Sequence, residues 1–180
     1  KKQIANSNAS INNDSEDFAQ RFLAMDSFFI TNPDTQIHIA GLRILSSIMG
    51  SIIGYDEFPN FVNMANKIAA NSASSDYTGD DFTSIWNSIS AIITTLETTE
   101  NEEDTGNQED SSFLSELTQT AIQVASNTEI ESNLRVLPTT AIVNEISSHK
   151  SIVDYSLIET ALELIIDVIA KSIEETKSLP

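Results

Sequence analysis

The stretch Asp34–Gly54, DTQIHIAGLRILSSIMGSIIG, decides the fold. Asp34 follows Asn32-Pro33. A proline there ends whatever helix precedes it, and an aspartate can cap the next one. Ile37, Gly41, Ile44, Ile48 and Ile52 then form one stripe at helical spacing, and Leu42, Leu45, Met49 and Ile53 form another. Two apolar stripes on one helix predict burial on most sides, so this helix, second in order, is expected at the centre. Gly54 is placed to close it as a left-handed cap.

Working outward, the same period recurs on both sides. Upstream, Glu16 and Asp17 open a turn where the helix dipole favours anions, and Phe18, Phe22, Met25 and Phe29 share a face. Downstream, Pro59 sits in a first turn, and Phe58, Phe61, Val62, Ala65, Ile68 and Ala69 supply the inner face. Ser74–Gly79 is a polar joint. Thr78 with Asp81 makes a capping box ahead of the stripe Phe82, Ile85, Ile89, Ile93 and Leu96, with Trp86 beside it. Glu97–Asp110 is acidic, contains Gly106 and has no large apolar residue, so it is expected as a mobile loop. A helix follows with Phe113, Leu117, Ala121 and Val124 inward. Glu129–Val136 reads as a short piece halted by Pro138, and Thr139–Ser148 as another. In the last helix Ser156 and Glu159 make a capping box, and Ile158, Leu162, Ile165, Ile169 and Ile173 hold one face.

No strand pattern competes. The expected fold is all-α, a compact bundle of about six helices around the central second helix. Residues 1–14 are expected as a flexible tail, 15–176 as a single helical domain with an acidic loop at 97–110, and 177–180 as a second tail.

Composition narrows the function. A chain of 180 residues with 40% hydrophobic content can bury one sizeable core. Its formal charge of −18, from 27 acids against 9 bases, argues against nucleic-acid binding and against docking on anionic membranes. Self-repulsion of that size favours solubility at high concentration. Between Lys67 and Arg135 there is no Lys or Arg. Glu97, Glu100, Glu102, Glu103, Asp104, Glu109 and Asp110 crowd into this span as a charge cluster, suited to a response to salt or pH and, at most, to loose cation association. Cysteine is absent, which removes disulfides and thiol chemistry. No apolar run approaches a spanning helix, and Lys1–Asn13 lacks signal-peptide character. The opening Lys1-Lys2-Gln3 without an initiator Met suggests a processed product or a piece of something longer. The sequons at Asn8 and Asn13 are of a kind that arises by chance in a Ser- and Asn-rich chain.

Candidate chemistry is thin. Ser147-Ser148-His149-Lys150 has the Ser-x-x-Lys spacing of some acyl enzymes, but without companion motifs it reads as a polar turn. His38 and His149 lie far apart, with no i, i+4 pairing that would suggest a metal site. Asp76, Asp80 and Asp81 near Gly79 lack the glycine position and closing Glu of a calcium loop. Glu163 and Asp167 are four residues apart on an expected outer face. No catalytic residue, cofactor or metal site is therefore assigned.

In Asp34–Leu96 the order of elements resembles the repeat domains of spider silk proteins (spidroins), of the aciniform and tubuliform kind. The resemblance is carried by Ile44-Leu45-Ser46-Ser47-Ile48-Met49-Gly50-Ser51-Ile52-Ile53-Gly54, then Phe61-Val62-Asn63-Met64-Ala65-Asn66-Lys67-Ile68-Ala69, the polar joint Asn71–Asp76, and Asp81-Phe82-Thr83-Ser84-Ile85-Trp86-Asn87-Ser88-Ile89. It covers about a third of the chain and rests on spacing and residue class. This chain has less Ala and Gly, more acid, and a long helix after Pro138, which is closer to an acidic repeat of an aggregate (glue) spidroin. The resemblance implies a secreted, non-enzymatic extracellular domain whose partners are tandem copies of itself. A competing reading is a helical interaction module that takes a partner helix or a hydrophobic ligand in an open groove beside Trp86.

Overall fold

In a computed structural model the described residues are 32–53, 58–74, 76–100, 108–148 and 155–178, together with Arg21. They form six helices: α1 Thr35–Ile52, α2 Phe58–Asn71, α3 Gly79–Glu100, α4 Gln108–Ser126, α5 Ser132–Ser148 and α6 Tyr155–Ser178. Among the described residues there is no strand. The all-α expectation holds. The tail expected at 1–14, the helix expected over 15–31 apart from Arg21, Gly54, His149 and Lys150 lie outside the described residues; the second tail expected from 177 does not begin there, because α6 continues through Lys177 to Ser178.

Local chemistry sets the helix starts. Asp34 caps α1, its carboxylate accepting from Gln36 N–H at 3.0 Å. At α3 the expected capping box forms: Asp81 N–H donates to Thr78 Oγ1 at 3.2 Å, and Thr78 N–H donates back to Asp81 Oδ2 at 3.0 Å.

The centre of the bundle is α3, not α1 as expected. α3 touches α1, α2, α4 and α5. Ile85, Trp86, Ile89, Ile92, Ile93 and Leu96 are all buried along it. α1 turns only one face inward, through Ile39, Leu42, Leu45, Met49 and Ile52, and Ile44 from the other predicted stripe is 43% exposed. Apolar content on a second face measures opportunity for burial; the number of neighbouring helices decides whether it is used.

Pro138 does not end a helix. α5 runs through it from Ser132 to Ser148, with Pro138 itself buried. An interior proline forfeits one ladder hydrogen bond, at a cost of about 3 kcal/mol. Contacts with α3, α4 and α6, and burial of Arg135, Thr139, Ala141 and Ile142, offset that cost.

Candidate functional site

The expected acidic loop is shorter than the sequence suggests. α3 continues to Glu100 and α4 begins at Gln108. Glu97 and Glu100 therefore belong to the end of α3, and Glu109 and Asp110 to the first turn of α4. Glu102, Glu103 and Asp104 lie outside the described residues.

Several polar side chains inside the bundle join one helix to another. Where α1 meets the start of α3, Gln36 Nε2 donates to Asp81 Oδ1 at 2.8 Å, and Thr78 O–H donates to Asp81 Oδ2 at 2.8 Å. Beside them His38 Nδ1 and the Tyr77 hydroxyl share a 2.5 Å hydrogen bond. Burial, and then the charges of Asp76 and Asp81, push the Tyr77 phenol above its ordinary value. His38 Nε2 is buried without a hydrogen-bond partner. Between α2 and α4, Thr120 O–H donates to Asn66 Oδ1; between α4 and α5, Thr118 O–H meets Glu145 Oε2.

The most buried charge is Arg135, 1% exposed on α5. Its Nε donates to the Ala125 carbonyl at 2.6 Å and its Nη2 to Asp167 Oδ2 on α6 at 2.7 Å. Lys171 Nζ adds a second cation to Asp167 at 3.2 Å. The Arg135 hydrogen bond, followed by that from Lys171, holds the Asp167 carboxyl below its usual range. Asp167 therefore works toward the bundle, while Glu163 is exposed as expected. No sequence spacing marks the pair, which is 32 residues apart.

Among the described residues no three His, Asp or Glu side chains gather as a metal-binding group. No helix among them is long and apolar enough to cross a membrane. Trp86 is fully buried, so its ring does not line an open groove. Open apolar surface occurs instead on α6. Ala161, Leu164 and Val168 face the core, leaving Leu162 (54%), Ile166 (66%), Ile169 (54%) and Ile173 (49%) exposed. This overturns the expected inward face through Leu162, Ile169 and Ile173. A shallow groove on the same side is lined by Ile169, Ser172, Ile173, Thr176 and Lys177.

The Asp81 contacts carry a pH prediction. The Thr78 backbone bond, then the Thr78 hydroxyl, and more weakly Gln36 hold its carboxyl below the ordinary value against the opposing effect of burial. The ionised form is thus favoured by folding. Its stabilisation is fully present above the unfolded carboxyl value near 4 and is lost as pH falls through the depressed folded value. In circular-dichroism melts, Asp81→Asn should lower the midpoint at neutral pH and flatten its decline below about pH 4. An unchanged acid limb would remove Asp81 from the account.

No family model, curated protein or solved structure matches the chain.

Proposed function

We propose that this chain is a structural, non-enzymatic repeat domain of an extracellular silk or glue protein, kept soluble by acidic charge and assembling when salt or acid weakens that charge. The observation that carries the reading is the base-free span from Lys67 to Arg135 in a chain of net charge −18. Its acids repel other copies over roughly a Debye length, about 8 Å at physiological salt, so added salt shortens the reach of the repulsion and protons remove it. Interior polar groups support the reading as well. Asp81, Arg135, Thr118 and Thr120 are occupied in tying helices together. The partners are tandem copies, with cations acting as loose counterions of the cluster.

Light scattering tests it. The apparent mass should rise with concentration when salt is raised from about 10 mM to about 1 M, a range over which the screening length falls from about 30 Å to 3 Å. It should also rise between neutral pH and about pH 4, where ordinary carboxylates are about half protonated and the Asp81 contact, held below the ordinary value, is still present. Self-association indifferent to both would remove the proposal.

The exposed stripe on α6 favours a second reading, a helical interaction module for a partner helix or hydrophobic ligand. That reading expects a ligand to raise the thermal midpoint of the monomer.

A further inference from the structure

The last helix has the thinnest hold on the bundle. α6 packs on α5 and, more lightly, on α4, whereas α3 meets four helices. Among the described residues it buries three side chains, Ala161, Leu164 and Val168, fewer than any other helix. Beyond Val168 none of its described side chains is buried, so the final ten or so residues form an arm of about 15 Å at helical rise. Elements with few buried contacts open at lower free energy than the core, and they open as units.

One polar contact crosses this thin interface at its centre. Arg135 of α5 is 1% exposed, and its guanidinium lies between the Ala125 carbonyl of α4 and the Asp167 carboxylate of α6. The charges that bear on Asp167 are Arg135 and, one turn on along α6, Lys171; Glu163, one turn back, is exposed. The Asp167 side chain is 42% exposed, and an ion pair that open to water contributes little by itself. The guanidinium is the sensitive end. It keeps its proton throughout the working range of a protein, and a buried cation stripped of its carboxylate is costly. When Asp167 takes up a proton with α6 docked, Arg135 stays covered and loses its counterion. When α6 undocks, water reaches the same guanidinium. Protonation of one carboxyl therefore penalises the docked helix and spares the undocked one.

We infer that α6 is a detachable clasp, closed by the Arg135–Asp167 contact and released by acid while α1–α5 stay folded. The direction follows from the carboxyl. The Arg135 bond, then that from Lys171, holds it below the ordinary value in the docked state. The advantage of docking is whole above the ordinary carboxyl value near 4 and is lost as pH falls through the depressed one. Asp81 is also held below the ordinary value, but it joins α1 to the start of α3, so the two carboxyls act on different helices. The clasp holds for a repeat domain and for an interaction module alike.

Amide hydrogen exchange, followed by nuclear magnetic resonance in dilute low-salt solution, reads each helix separately. From pH 7 to pH 3, protection factors across 155–178 should fall about tenfold or more, the scale of one charge-assisted hydrogen bond, while those of α3 fall less. Asp167→Asn imitates the protonated carboxyl. It should show the lowered α6 protection already at pH 7, with little further loss in acid and with the native indole resonance of Trp86 intact. Asp81→Asn should keep the acid step in α6. Equal loss in α6 and α3 of the wild type would mean that the bundle opens as one unit, which overturns the inference. An Asp167→Asn chain whose α6 keeps wild-type protection at pH 7, or shows the wild-type acid step, overturns it as well.

Discussion

Replacing Trp86 with alanine is expected to lower the unfolding free energy by about 3–5 kcal/mol. The indole is fully buried on α3, in a 6.2 Å ring contact with Phe82. Its removal leaves a void at the point where the central helix meets its neighbours, and close-packed interiors refill such voids only in part. The polar end matters too. Trp86 Nε1 donates to Ser72 Oγ at 3.1 Å, and Ser72 O–H donates to the Ala69 carbonyl at 2.6 Å. This relay fixes the turn between α2 and α3. Ser72→Ala strands a buried indole N–H and should cost about 1–3 kcal/mol, less than the loss of the ring. Urea unfolding measures both. Because Trp86 is the single tryptophan, the wild type and Ser72→Ala can be followed by its fluorescence, and Trp86→Ala by circular dichroism. Domains hold only about 5–15 kcal/mol in total, so the alanine variant should unfold at a much lower urea midpoint. A loss below about 1 kcal/mol would mean that the ring is not packed as described.

The residues that sequence reading placed well are those whose environment is local. The Thr78–Asp81 box and the Asp34 cap depend on chemistry within three residues, and the inner faces of α2 and α3 on a single clear stripe. The errors arise where two local answers were equally good. α6 has apolar residues on two adjoining arcs, and periodicity cannot choose which one meets the core. The small Ala161 and the pull of Arg135 on Asp167 set its rotation, and both are tertiary facts. Pro138 was read by its intrinsic cost, which burial of α5 outweighed. The acidic run was taken as loop from its composition, yet helix enters it from both sides as far as Glu100 and Gln108. Arg135 carried no signal at all: an arginine in a sequence gives no hint that its carboxylate partner lies a helix away.

Arg135→Ala should destabilise the bundle by about 3–5 kcal/mol, comparable to the loss of Trp86. The two bonds of this guanidinium do different work. The Ala125 carbonyl belongs to the last turn of α4, where carbonyls lack helical partners, and Arg135 Nε caps it at 2.6 Å with a cation that suits the dipole. The bond to Asp167 holds α6 to the body, which otherwise grips this helix chiefly through Ala161, Leu164 and Val168. Alanine removes the volume, uncaps α4 and releases α6 together. Methionine keeps most of the volume and should cost less, about 1–3 kcal/mol for the carbonyl left without a partner. Lysine keeps the charge without the planar fork and cannot satisfy both acceptors in the same geometry. Asp167, with its side chain 42% exposed, can be rehydrated, so Asp167→Asn should be milder than any change at Arg135 that removes the side chain. Hydrogen exchange separates the two roles. In Arg135→Ala, protection should fall first across 155–178, because that helix has the fewest buried anchors and opens as a unit. In Asp167→Asn the loss should be confined to the same helix, with the end of α4 still protected. Equal exchange in α6 of the wild type and the alanine variant would show that the guanidinium does not hold the arm-bearing helix in place.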